Sequence, residues 1–125
     1  MLSWQDLKAE VPEEVWNAVT QGDDALGDRF LDRARAWFLA MVAPCGIDEI
    51  DETDSVVQRI LLSRALYEFY AFVGKETLAA AKFEDAKEML RAKFGPCVGV
   101  KEEKKTPLPT GAVKVGRIYE RWSGI

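Results

Sequence analysis

The chain contains no histidine, and that single absence removes the commonest general base and the commonest transition-metal ligand together. Cysteine is scarce too. Cys45 and Cys97 are the only two, too few to hold zinc without histidine and too far apart for a C-x-x-C redox motif. No glycine-rich phosphate loop or G-x-S-x-G elbow occurs, and neither cysteine has a histidine in the chain to activate it. Carboxylates are plentiful, but acid–base work needs a dry pocket that splits their pKa values. The residues therefore predict a protein that is not an enzyme and uses no metal or cofactor. No apolar run reaches 18 residues and no secretory leader stands at the start, so neither a membrane span nor export is expected and the default location is cytoplasmic.

What is present suits one domain with a core of its own. A chain of 125 residues buries about two-thirds of its unfolded surface on folding. Its organising stretch is Ser55 to Val73, SVVQRILLSRALYEFYAFV, in which apolar residues fall on nearly every side of a helical wheel. A helix apolar all round is a buried helix, and the arginines and glutamate inside this one make it a poor membrane span. Arg59 and Arg64 need partners there; Asp28 or Asp32 of the preceding helix, or a subunit contact, would provide them.

The rest of the chain supplies what surrounds that helix. Ser3 and Asp6 have the spacing of a capping box opening a short helix with Trp4, Leu7 and Val11. Pro12 restarts the chain as a first-turn residue, followed by Glu13 and Glu14 and the stripe Val15, Trp16, Val19. After Gln21-Gly22-Asp23-Asp24 a longer helix, Asp24 to Val42, carries Leu26, Phe30, Ala34, Trp37, Phe38, Met41 and Val42 at a 3.6-residue period. Ala43-Pro44-Cys45-Gly46 ends it. The connection Ile47 to Asp54 is acidic but lacks the alternating oxygen ligands, central glycine and distal glutamate of an EF-hand, so it reads as a solvated loop whose Thr53 or Asp54 caps the central helix. Gly74 stops that helix, and a last one, Lys75 to Phe94, presents Phe83, Ala86, Met89, Leu90 and Phe94 on one face. The expected fold is all-α: a small helical bundle of two short and three long helices over residues 1–96, then an extended C-terminal arm over 97–125.

Both cysteines follow a proline just past a helical stretch, in APCG and GPCV. A pair of buried reduced thiols is the expectation for a cytoplasmic chain. A disulfide stays open, because the two stretches could finish at the same end of a bundle.

Charge is divided unevenly along the chain. Residues 101–125 hold six Lys/Arg against three Glu, a balance of +3, whereas the first hundred hold 11 basic and 18 acidic residues, or −7. Such an acidic body does not grip duplex DNA through phosphates. Lys101 to Gly111 reads as a linker, and the end beyond it is too aromatic for a simple disordered tail. Val113, Val115, Arg117, Ile118, Tyr119, Arg121 and Trp122 are the candidate interface, since apolar surface of that size is marginal alone and seeks a partner.

The order of these elements (Trp4-Gln5-Asp6-Leu7, a P-E-E helix, an aspartate-led amphipathic helix, a dense core helix, FEDAKEML over Phe83 to Leu90, a Pro/Gly linker, a basic-aromatic end) resembles the Mu-like prophage family of small proteins encoded among head-morphogenesis genes. That family is similar to the head–tail connector, or adaptor, proteins of tailed phages. The resemblance implies a homo-oligomeric ring, of about a dozen subunits in related connectors, seated between portal and tail-completion proteins, with DNA passing non-specifically through an acidic channel. It implies a cytoplasmic location during assembly, a place in the virion afterwards, and no catalytic residues. The cysteine-bearing loops and the lysine- and glutamate-rich linker depart from that pattern. A small helical regulatory or toxin–antitoxin-type protein-binding module is the alternative.

Overall fold

A computed structural model describes residues 1–100; the linker and the seven candidate interface residues between Val113 and Trp122 lie outside them. Ser3 opens helix α1 (Trp4–Lys8) with both halves of a capping box, its side chain meeting the Gln5 N–H while Asp6 reaches back to the Ser3 N–H. Pro12 stands immediately before helix α2 (Glu13–Thr20) as its cap residue, one position earlier than the sequence suggested. The missing N–H of proline costs nothing at a helix start. Gln21 and Gly22 both turn to positive φ and end α2.

Helix α3 (Ala25–Val42) buries Phe30, Leu31, Ala34, Phe38 and Val42. A 3₁₀ turn over Ala43–Cys45 closes it. Asp54 caps helix α4 (Ser55–Phe72) by accepting from the Val56 and Val57 N–H groups. Inside α4, Ile60, Leu61, Leu62, Ala65, Leu66, Phe69 and Tyr70 are all buried, so most of its circumference faces protein. It packs most heavily on helix α5 (Glu76–Phe94), next on α3, and touches α1. The turn between α4 and α5 is a Schellman closure, with Gly74 donating to the Ala71 carbonyl and Lys75 to that of Tyr70.

The described residues are thus all-α, five α-helices around one core with α4 in the middle. Aromatic contacts tie the layers together. Phe69 of α4 stacks on Trp16 at 5.6 Å and meets Phe30 edge-on at 6.1 Å, while Phe38 of α3 meets Phe94 of α5 at 5.6 Å. Helix α5 is the outer layer: Ala79, Ala86 and Leu90 are buried, whereas Phe83, Met89 and Phe94 are only half-buried. No helix among the described residues is long and apolar enough to cross a membrane.

Candidate functional site

The structure places the root of the predicted arm. Cys45 and Cys97 form a disulfide, with their Cα atoms 5.3 Å apart, which corrects the expectation of reduced thiols. The α4–α5 hairpin reverses the chain so that α5 finishes beside the end of α3, and each Pro-Cys turn follows one of those ends. Two further contacts fix the same place. Val98 is buried, and Gly99 donates its N–H to the Met41 carbonyl at 2.9 Å. A Cβ on Gly99 would stand 3.0 Å from the Met41 methyl at a positive φ, so glycine lets the backbone lie against α3 here. The last described residues are therefore fixed at the end of α3 and α5.

Toward the C-terminal end of α5 lies a shallow, mainly apolar depression of about 310 Å³ lined by Val56, Met89, Ala92 and Lys93. Met89 also lines a second, more polar depression, with Arg59, Ser63, Lys82, Asp85 and Glu88. Val56, Arg59 and Ser63 are spaced i, i+3, i+7 on α4, and Lys82, Asp85, Met89 and Ala92 follow the same period on α5. The two depressions are therefore one groove along the outer α4/α5 seam. Two of its cations are committed, Arg59 to Glu10 at 3.1 Å and Lys93 to Asp54 at 2.9 Å. Among the described residues Lys82, Asp85 and Glu88 form no ion pair. Carboxylates thus outnumber ammonium groups two to one there. The Lys93 hydrogen bond, followed by the Val56 and Val57 N–H groups, holds the Asp54 carboxyl below its ordinary range.

The arginines of α4 do not reach the aspartates of α3. Arg59 crosses to Glu10 in the α1–α2 connection, and Arg64 pairs with Glu68 one turn along its own helix at 2.7 Å. Glu68 also takes Arg33 at 3.3 Å. The Arg64 guanidinium lies 4.7 Å from the Tyr67 ring centroid, 5.2 Å from Phe83 and 5.4 Å from Trp37, within cation–π range of all three. Asp28 and Asp32 are engaged elsewhere, Asp28 accepting from the Trp4 N–H and Asp32 from Arg35.

In the acidic connection three of the five carboxylates are engaged. Glu52 turns inward to accept from Arg35 at 2.8 and 3.2 Å and from the Leu2 N–H at 3.0 Å. Asp51 accepts from Thr53, and Asp54 caps α4. Among the described residues no three metal-ligating side chains gather. What the geometry offers is a shallow groove along α4 and α5 and a covalently anchored end to the described residues. The groove was not visible in the sequence, because Val56, Ala92 and Asp85 look like ordinary helix-surface residues until α4 and α5 are laid side by side. Comparison with protein families, curated proteins and solved structures finds no match.

Proposed function

We propose that the protein is a non-enzymatic structural subunit of a phage or prophage head–tail connector of the Mu-like type. It would assemble into a ring between portal and tail-completion proteins and let DNA pass without gripping it. The observation that carries this reading is the division of charge between an acidic helical body and a basic, aromatic C-terminal sequence, with the chain fixed covalently to the body at Cys97 just before that sequence begins. A −7 surface repels the phosphate backbone and favours sliding over binding. The +3 segment is drawn to a like body, and Tyr119 and Trp122 are the residue types that dominate interfaces. Its eleven-residue linker, 101–111, spans up to roughly 35 Å when extended, enough to reach the next subunit.

Deleting residues 107–125 tests this. The truncated body should keep its helical circular dichroism while analytical ultracentrifugation at high concentration shifts from assembled to smaller species. An unchanged mass distribution, from a wild type that assembles, removes the arm as the bridge. A second reading, a helical regulatory or toxin–antitoxin-type module, is favoured by the open α4/α5 groove, since grooves of this kind take partner helices. A wild type that stays monomeric at every concentration would select it.

A further inference from the structure

We infer that the α4/α5 groove is the receptor for the arm of a second copy of this chain: residues 113–122 of one subunit seat across Val56, Met89 and Ala92 of the next. The inference rests on the subunit-bridging reading above and names the surface it leaves unassigned. Chemistry matches on both sides. The segment carries Val113, Val115, Ile118, Tyr119 and Trp122 interleaved with Lys114, Arg117 and Arg121. The groove offers an apolar floor with Val56 43% exposed, and its lining charges leave an acidic excess of one: Arg59 and Lys93 are paired with Glu10 and Asp54, while Asp85 and Glu88 stand against Lys82 with no ion pair among the described residues. Apolar anchors with flanking opposite charge give affinity and register respectively.

The length of chain between body and anchors selects the neighbour over the chain's own groove. The exit at Gly99 adjoins the end of α5, and Ala92 lies less than one turn before that end, so a few residues would bring the arm home. Twelve residues, 101–112, separate Val100 from the first anchor, Val113, a spacing suited to crossing to another body. An arm-in-groove contact is also heterologous, with donor and acceptor surfaces different, and such contacts close into rings when repeated by rotation.

The test mixes two full-length variants. Ala92→Lys places a cation and bulk in the groove at an exposed position near the helix C-terminus, where lysine is well tolerated. Trp122→Ser weakens the arm and leaves the groove intact. Wild type should sediment as an assembly, and each variant alone as a monomer with unchanged helical circular dichroism. Their equimolar mixture should give a species of twice the monomer mass and nothing larger, because one copy contributes the only sound arm and the other the only sound groove. Val56→Lys, at the other wall, should behave as Ala92→Lys does and covers a folding failure of the first. A mixture that remains monomeric, or groove variants that assemble like wild type, overturns the groove assignment while leaving the bridging reading standing. A monomeric wild type overturns both.

Discussion

Single residues set two of the tightest constraints. Gly27 sits in α3 where a Cβ would come within 2.6 Å of the Trp16 ring and 2.8 Å of the Trp4 Cβ. The backbone itself is the floor on which the two stacked indoles rest. Gly27→Ala ordinarily favours a helix, but here the overpacking should prevail and cost about 1–3 kcal/mol. A lower urea midpoint with altered tryptophan emission is the expected result, and a more stable variant would show that the indoles can move aside. The second constraint is Glu52, whose side chain is 13% exposed against 15% for Arg35. Burial alone would push its carboxyl up. The Arg35 hydrogen bond, the Leu2 N–H and the charges of Arg35 and the N-terminus outweigh burial and hold it below the ordinary carboxylate range. Arg35 is raised in turn, first by its hydrogen bond to Glu52. Because the folded carboxyl titrates below the unfolded one, its stabilisation is complete above the ordinary Glu value of about 4.3 and is lost as pH falls through the folded value. Glu52→Gln should thus lose about 1–3 kcal/mol at pH 7 and converge on wild type as the pH falls from the ordinary Glu value through the lower, folded one. A gap in urea midpoint that stays constant from pH 7 to pH 3 would place the effect in packing instead.

Among the elements, α4 governs the rest. Leu61 and Leu66 are buried to within 2% of completely, so either leucine changed to alanine should remove about 2–5 kcal/mol through lost burial and an incompletely collapsed cavity. An unmoved thermal midpoint would place the core elsewhere. The helices were largely legible because their signals are local: the Ser3/Asp6 box, the Asp54 cap, Gly74 and the 3.6-residue stripe of α3 each act within a few residues. Pairings across elements were not. Arg59 needed a partner by any reading of a buried helix, yet Glu10 was chosen by where the α1–α2 connection crosses, which nothing near Arg59 encodes; Arg64, by contrast, takes Glu68 four residues along its own helix, a local pairing that the search for a partner on α3 passed over. Leu31 escaped the stripe of α3 because the helix is covered by α1 as well as α4, which widens its buried arc. The groove escaped for the same reason, being a property of two faces and not of either.

At the scale of the whole molecule, the disulfide has a mechanical meaning. It joins residues 52 apart in sequence and encloses both α4 and α5 in one covalent loop. A pull on the C-terminal segment enters the body at Cys97, crosses directly to Cys45 and runs on into α3. The α4–α5 hairpin lies off the line of tension. A molecule pulled at its C-terminal end would therefore resist as α3 and the N-terminal helices do, with its central hairpin shielded from stretching. Drawing out single molecules by their two ends should reveal this as hidden length. The oxidised protein should extend about 18 nm less than the reduced one, the contour of the loop at roughly 3.3–3.6 Å per residue. Equal extension in both redox states would mean that the bridge does not carry the force, whereas the expected shortfall makes the covalent staple, and not the packing of its longest helices, the part of the molecule that sets how far it can be drawn before it gives.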